Sequence, residues 1–234
     1  MDENPFNSKI DSPERPPFPR PRVAYYGGSF DPVHRGHLAI GQTLLTQFEL
    51  DRLVFIPAFH APHKLRKDST SAYDRFAMLC LVTQNEPRMF VSKMEIEMPG
   101  RPYSVETLER LSVEHPDDEI FFVMGADSWM DIATWREWEK VLSLSNHIVV
   151  TRPGIEIGFT HVTDDVRARI VDLRETAGTR PGPHASRSIY VTDSVNLDIS
   201  ATLIRHRIRE NDPSWHKDVP AEVANYVEKY QIYN

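Results

Sequence analysis

An uninterrupted apolar run at residues 120–124, Ile-Phe-Phe-Val-Met, restricts the fold of this chain more than any other feature. A strand with one face in water alternates apolar and polar residues, whereas this run predicts a strand covered on both faces, as in a parallel sheet. Four further apolar runs of strand length lie at residues 23–26, 53–56, 147–151 and 188–191. The chain therefore contains five predicted strands, and the most apolar of them requires cover on both faces.

The stretches between the predicted strands have the apolar periodicity of α-helices. Apolar residues recur there at spacings of three and four, which places them on one helical face. The predicted stripes are Leu38, Gly41, Leu45 and Phe48; Tyr73, Phe76, Ala77 and Cys80; Val105, Leu108 and Leu111; and Val223, Tyr226, Val227 and Tyr230. Strands that alternate with single helices suit right-handed parallel crossovers. We therefore predict an α/β fold: a doubly wound, mostly parallel, Rossmann-like sheet with helices on both faces, in a single domain.

Proline and glycine mark the boundaries of this predicted domain. Residues 1–21 hold six of the 18 prolines and few large apolar side chains, so we expect a disordered Pro-rich tail there. The domain is then expected over residues 22–234. Within it, residues 155–187 are the least regular part and contain a glycine- and proline-rich stretch, which favours an irregular insertion over a second domain.

The overall charge and the cysteine content disfavour several functional classes. The formal net charge is −7 and the isoelectric point about 5.8, which argues against a general nucleic-acid or anionic-membrane binder. The single cysteine, Cys80, cannot form an intramolecular disulfide or a cysteine-based zinc site. No apolar stretch approaches about 18 residues, and the N-terminus lacks the apolar core of a signal peptide. We therefore expect a cytoplasmic protein.

The segment with the most specific chemistry is residues 27–38, GGSFDPVHRGHL, between the first predicted strand and the first predicted helix. At the carboxyl end of a parallel strand, such a loop lies where ligands bind. Gly27 and Gly28 allow the backbone to approach a phosphate, and the helix start offers unpaired amides. His34 and His37 add imidazoles that can donate to the charged oxygens of a phosphoryl-transfer transition state. The segment matches neither the dinucleotide-binding glycine pattern nor the P-loop.

A second candidate anion site lies at residues 198–205, DISATLIR. Ser200 or Asp198 is suited to cap a helix, and the hydroxyls and first-turn amides can form an anion cradle. Arg205 follows one turn later and can bridge phosphate oxygens by two-point contacts. Taken alone, the segment is more simply a capped helix with surface arginines. Its pairing with residues 27–38, hereafter the histidine loop, favours a shared polyphosphate site.

These two segments carry a resemblance to a known family. Residues 27–38 resemble the GGSFDP-x-H-x-GH-L signature of the nucleotidyltransferase superfamily with the H-x-G-H motif, and residues 199–205 resemble its second signature, I-S-[ST]-T-x-x-R. Further segments resemble the bacterial nicotinate-nucleotide adenylyltransferases, in family order over about residues 22–232. They are residues 62–64, Arg75 with Met78 and Leu79, residues 103–108 and 125–127, Trp135, and residues 152–154 and 219–230. The sequence departs from the family at Ser29, Ala201 and Pro102.

The resemblance implies an adenylyltransferase that transfers AMP from ATP to nicotinate mononucleotide, giving nicotinate adenine dinucleotide and pyrophosphate in NAD biosynthesis. It implies catalytic roles for His34, His37 and Arg205. It implies an ATP site of Gly27, Gly28, Ser29, Phe30, His34, His37, Ser200, Thr202 and Arg205. It also implies a mononucleotide site of His63, Lys64, Tyr103, Ser104, Asp127, Trp135 and Arg152.

The same resemblance sets expectations for cofactors and partners. Mg2+ is expected with ATP, held by phosphate oxygens and water rather than by a dedicated protein site. The expected partners are the two small-molecule substrates, with no nucleic acid and no membrane. A homo-oligomer is compatible with this interpretation.

Alternatives stay open on the sequence alone. One alternative keeps the reaction but changes the acceptor to nicotinamide mononucleotide or another phosphorylated compound. It applies if the loop after Pro102 does not bind a pyridine carboxylate. A non-catalytic nucleotide sensor is a second alternative, but binding alone would not need His34, His37 and Arg205 together. A third alternative is a zinc hydrolase, in which His34, His37, His60 and His63 would together bind the metal. Trp135 also has a structural interpretation, because Trp129 and Trp138 lie nearby and any of the three can pack in the core.

Overall fold

A computed structural model describes residues 20–59, 70–98, 100, 102–151, 157–174, 187–193, 195 and 197–233. Apart from Arg20 and Pro21, the predicted tail at residues 1–21 lies outside the described residues. None of the helices in the described part of the chain is long and apolar enough to cross a membrane.

Seven strands among the described residues form one sheet, and every neighbouring pair is parallel. They are β1 (Arg22–Gly28), β2 (Arg52–Pro57), β3 (Met89–Val91), β4 (Glu119–Gly125), β5 (Asn146–Val150), β6 (Ile170–Asp172) and β7 (Ile189–Thr192). Their order is β3-β2-β1-β4-β5-β7-β6, so the direction of winding reverses between β1 and β4. Open parallel sheets bind ligands at the carboxyl ends of strands beside such a point.

Helices cover both faces of this sheet. They are α1 (Arg35–Gln47), α2 (Ala72–Thr83), α3 (Met94–Glu97), α4 (Ser104–Glu114), α5 (Ala126–Met130), α6 (Trp138–Leu144), α7 (Asp164–Arg167), α8 (Ala201–Arg209) and α9 (Ala221–Tyr230), with 3-10 segments at Ile132–Thr134 and Pro213–Asp218. Along β1, Ala24 and Tyr26 belong to a core shared with α1, α2, α8 and α9. Val23 and Tyr25 belong to a second core, shared with α4, α5 and α6. The predicted single-domain, doubly wound α/β fold is confirmed.

The five predicted strands all form, and the two further strands, which were not predicted, are short edge strands. Residues 120–124 are buried throughout, as their composition predicted. Both β3 and β6 have three residues and lie at the two edges of the sheet. A strand of that length contains too few residues to show an alternating pattern, so its pairing depends on the neighbouring strand.

Residues 155–187, where an irregular insertion is predicted, contain regular elements in the part that the structure describes. Residues 157–174 contain α7 and β6, and β6 adds a parallel strand to β7, with Val171 opposite Tyr190. The glycine- and proline-rich stretch that suggested irregularity lies at residues 178–183, outside the described residues. The elements before it, α7 with four residues and β6 with three, are too short to show a periodic pattern in the sequence.

Helix α2 forms where predicted but buries a different face. The predicted apolar stripe began at Tyr73, which is 61% exposed. The buried residues are instead Ala72, Arg75, Met78, Leu79 and Thr83. The inward position of Arg75 explains this rotation, because its guanidinium bonds to backbone carbonyls at the ends of β1 and β2.

Candidate active site

The loop after β1 is shaped by close contacts at two glycines and by Phe30. A Cβ on Gly28 would lie 2.9 Å from Cζ of Phe30, and one on Gly27 would lie 3.0 Å from Cζ of Phe122. Phe30 has a φ of 48°, in the left-handed region that non-glycine residues rarely adopt. This turn buries the Phe30 ring edge-on against Tyr26. The ring of Phe30 is therefore buried, and its backbone is the part that can contact a ligand.

His34 and His37 stack at the start of α1. Their ring centroids lie 3.6 Å apart, with planes inclined by 21°. His34 is the N-cap residue, and its backbone N–H donates to Nδ1 of His37 at 3.2 Å. Because Nδ1 accepts, the neutral His37 ring carries its proton on Nε2. Gly36 permits the stack, since a Cβ there would lie only 3.1 Å from Cε1 of His34.

The surroundings of His37 favour its neutral form. Burial lowers the pKa of His37 well below the ordinary value of 6.5, and the neighbouring His34 lowers it further. The ring also meets Tyr26 and Phe30 edge-on, at centroid distances of 6.2 Å and 5.0 Å. In the free protein His37 is thus a neutral hydrogen-bond donor through Nε2.

Helix α8 brings Arg205 to the same loop. Nη1 of Arg205 donates to the backbone oxygen of Asp31 at 2.5 Å, and Nη2 donates to Oγ1 of Thr202 at 3.3 Å. Ser200 is the N-cap residue of α8, and Thr202 is exposed in its first turn. Just before them, Cβ of Ile199 is 3.7 Å from the position of a Cβ on Gly36. The structure therefore brings the two candidate anion-binding segments together.

Arg75 of α2 also bonds to this loop. Its Nη1 donates to the backbone oxygen of Ser29 at 2.5 Å, and its Nη2 donates to that of Ala58 at 2.5 Å. Nε donates to the Thr70 backbone oxygen at 3.3 Å. Burial lowers the pKa of Arg75, while the charge of Asp31 acts to raise it. No role was predicted for Arg75, because its partners are backbone oxygens that the sequence does not reveal.

Several expected mononucleotide residues lie near the start of α4. Tyr103 is its N-cap residue and is 49% exposed, and Ser104 is its first residue. The guanidinium of Arg136 lies 5.0 Å from the centroid of the Tyr103 ring, and its Nη1 is 3.5 Å from Oε1 of Glu106. Arg136 directly follows Trp135, so these contacts bring the Trp135 segment to the start of α4.

The three tryptophans of this region have different environments. Trp129 is fully buried, and its Nε1 donates to the backbone oxygen of Gly158 at 3.0 Å. Trp135 and Trp138 are partly buried against the second core. Asp127 is exposed in the first turn of α5, directly after β4, and the N-cap residue there is Gly125. Trp129 therefore takes the core position, and the expected site residues Asp127 and Trp135 keep exposed surface.

Three expected site residues, His63, Lys64 and Arg152, lie outside the described residues, as does His60 of the zinc alternative. Within the part of the chain that the structure describes, no group of three or more His, Cys, Asp or Glu side chains could hold a metal ion.

Comparisons with known proteins identify the family of this chain. The cytidylyltransferase-like family model matches residues 25–207. A Corynebacterium glutamicum protein is 35% identical over 214 residues, covering 92% of this chain and 89% of the relative. A Citrifermentans bemidjiense protein is 36% identical, covering 91% of this chain and 98% of the relative. Both carry the name "Probable nicotinate-nucleotide adenylyltransferase".

Solved structures share the fold. Nicotinic acid mononucleotide adenylyltransferase of Plasmodium falciparum, complexed with APC, superposes with a TM-score of 0.70 at 19% identity, covering 92% of this chain and 98% of that chain. The same enzyme complexed with NaAD also gives a TM-score of 0.70, at 20% identity, covering 91% and 97%. The chain thus belongs to the cytidylyltransferase-like family and, within it, to the nicotinate-nucleotide adenylyltransferases.

Proposed function

We propose that this chain transfers the adenylyl group of ATP to nicotinate mononucleotide, forming nicotinate adenine dinucleotide and pyrophosphate in NAD biosynthesis. One observation carries the proposal: Arg205 of α8 bonds to Asp31, three residues before His34, which stacks on His37 at the start of α1. The candidate phosphate-binding donors at the start of α1 and in α8 therefore lie close together. The names of the relatives, and the NaAD bound to the Plasmodium enzyme, support this choice of acceptor and product.

The proposed chemistry depends on charge stabilisation rather than on a general base. The phosphate of the mononucleotide is already ionised at neutral pH, so it attacks the α-phosphorus of ATP in line. The bond to the bridging oxygen breaks, and pyrophosphate leaves. His34 and His37, the latter through Nε2, donate to oxygens whose negative charge grows in the transition state. Arg205, with Ser200 and Thr202, holds the departing pyrophosphate.

ATP enters this reaction as its magnesium complex, with Mg2+ held by phosphate oxygens and water. The donors assembled here are imidazole, guanidinium and backbone N–H groups, including those of Gly27, Gly28, Ser29 and Phe30. These groups bind phosphate oxygens rather than cations, so no residue of this chain is assigned as a magnesium ligand. We expect the reaction to occur in the cytoplasm, where Cys80 stays reduced.

The acceptor half of the site is proposed from residues on the second face of the sheet. The partly exposed Trp135 stacks on the pyridine ring. The first amides of α4, at Tyr103 and Ser104, bind the carboxylate. Asp127 accepts a ribose hydroxyl. The family resemblance adds His63 and Lys64 for the phosphate of the mononucleotide, and Arg152 as a further mononucleotide-binding residue. Backbone donors discriminate against the amide, because its NH2 group would face other donors.

Pyrophosphate release tests the proposal directly. The purified chain is assayed with MgATP and either nicotinate mononucleotide or nicotinamide mononucleotide, and the dinucleotide product is identified by mass spectrometry. We expect release with both substrates present and a clear preference for the carboxylate. Equal or faster turnover with the amide overturns the proposed acceptor. Absence of release with either acceptor, despite ATP binding, overturns catalysis and favours a nucleotide sensor.

A further inference from the structure

The end of the chain folds back onto the histidine loop. Helix α9 ends at Tyr230, and Gln231 adopts a left-handed conformation with a φ of 51°. The backbone N–H of Ile232 then donates to the oxygen of Val227 at 3.0 Å, which closes the turn. Tyr233 follows and is only 8% exposed. Tyr233, which lies beyond the end of α9, is thus as buried as a core residue.

Tyr233 makes a buried hydrogen bond to the loop between β1 and α1. Its hydroxyl donates to Oδ1 of Asp31 at 2.7 Å, and Asp31 is 4% exposed. Burial, followed by the charge of Asp31, raises the pKa of Tyr233 well above 10. The Thr70 hydroxyl, through a hydrogen bond, and the charge of Arg205 act in the opposite direction. The phenol therefore stays protonated and remains a donor at physiological pH.

Asp31 also contacts Arg205, closely through its backbone oxygen and at a longer distance through its carboxylate. Its backbone oxygen accepts from Nη1 of Arg205 at 2.5 Å, whereas its carboxylate Oδ2 lies 4.0 Å from the same nitrogen. A guanidinium has five N–H donors, and a close carboxylate normally captures two of them in a bidentate pair. Here the carboxylate of Asp31 is engaged by Tyr233, so Arg205 keeps N–H groups for another anion.

We propose that Tyr233 is a positioning residue for adenylyl transfer: its hydroxyl holds the Asp31 carboxylate away from Arg205, so that the guanidinium stays oriented toward the ATP phosphates. This inference rests on the proposed function. Without the hydroxyl, the buried Asp31 carboxylate lacks its donor and pairs with the nearest cation. Arg205 is the candidate, because its Nη1 lies 4.0 Å from Oδ2 of Asp31, whereas Arg75 already donates to the carbonyls of Ser29 and Ala58. Pairing with Asp31 removes Arg205 donors from the pyrophosphate.

The variant Tyr233→Phe tests the proposal, because it removes the hydroxyl and keeps the packed ring. We expect kcat to fall about tenfold, less than the roughly hundredfold or greater loss that removal of a transition-state donor causes, because the guanidinium is redirected rather than removed. KM for nicotinate mononucleotide should stay within about twofold of the wild-type value. Tyr226→Phe is the matched control, because it removes another tyrosine hydroxyl that bonds an aspartate, Asp74, at 2.9 Å. Its kcat is expected to match that of the wild type.

A second variant separates positioning from folding. Asp31→Asn in the Tyr233→Phe background removes the charge that captures Arg205, so we expect kcat to recover at least half of the lost activity. It does not restore the phenol hydrogen bond, so a protein that is merely misfolded stays inactive. An unchanged kcat in Tyr233→Phe, or a double variant no more active than the single one, overturns the proposal. A wild type without pyrophosphate release overturns the proposed function instead.

Discussion

Nδ1 of His37 accepts a hydrogen bond from the backbone N–H of His34, with 3.2 Å between the two nitrogens. This hydrogen bond engages Nδ1 at the start of helix α1. Nε2 of His37 therefore remains as the donor that can face a substrate. It also brings the two imidazole planes into a stack. The same residues thus form the N-terminus of α1 and supply hydrogen-bond donors to the site.

The first prediction concerns the protonation state of His37. Burial and the neighbouring His34 lower its pKa well below 6.5, so the free protein should keep a neutral His37 with its proton on Nε2. NMR correlation of the ring nitrogens with their carbon-bound protons, recorded from pH 5.5 to 8, should show the Nε2–H tautomer throughout. His37→Gln assigns the signals. A midpoint near 6.5, or the Nδ1–H tautomer, would contradict the arrangement.

The second prediction concerns Gly36, which lies in the first turn of α1. Glycine to alanine within a helix normally stabilises it, by about 1 kcal/mol. In Gly36→Ala, however, the new Cβ would lie 3.1 Å from both Cε1 and Nδ1 of His34, so the ring must move. We expect kcat to fall by about tenfold or more, while the melting temperature changes little.

Gly158→Ala is the control for this substitution. A Cβ on Gly158 meets no atom within 4 Å, so its kcat should match the wild type. If Gly36→Ala retained full activity, the stacked geometry of the histidines would not be required for turnover.

The third prediction concerns Glu95, whose Oε1 accepts from Oγ1 of Thr107 at 2.8 Å. Burial raises the pKa of Glu95 to about 7, against opposing effects of the Thr107 hydrogen bond and the Arg75 charge. The folded state therefore holds a proton that the unfolded chain releases near 4.5. The contribution of Glu95 to stability is present in full below pH 4.5 and is lost as the pH rises through 7.

Glu95→Gln removes this dependence. The free energy of unfolding of the variant, relative to wild type, should rise by about 2 to 3 kcal/mol between pH 5 and pH 8 in denaturant titrations. Glu97→Gln is the control, since Glu97 pairs with Lys93 on the surface of the same helix. A difference between Glu95→Gln and wild type that stays constant with pH would show that Glu95 has an ordinary pKa.

The features that could be predicted from the sequence are those marked by neighbouring residues. The apolar run of β4 identified a buried strand, and the spacing of His34 and His37 identified a helix start with two imidazoles. Helix α2 was predicted with the wrong face, because Tyr73 and Phe76 made an apolar stripe as regular as the buried one. The position of Arg75 depends on the carbonyls of Ser29 and Ala58, and backbone acceptors have no sequence signature.

Tyr233 illustrates the same limit at a longer range. Nothing in the local sequence distinguishes it from Tyr230, which is 57% exposed, or from Tyr226, which bonds to Asp74. Positive φ angles at Gln231 (51°) and at Tyr233 itself (78°) accompany the turn that brings Tyr233 to Asp31. Pairings across the whole chain therefore decide which tyrosine meets the site.

The most direct test of the account compares turnover with ATP binding in His34→Ala. If the stacked histidines stabilise the transition state for adenylyl transfer, kcat with nicotinate mononucleotide should fall by about a hundredfold or more. The Kd for MgATP, measured by calorimetry on the same preparation, should rise by less than about fivefold. An unchanged kcat, or a loss of ATP affinity as large as the loss of turnover, would contradict the account.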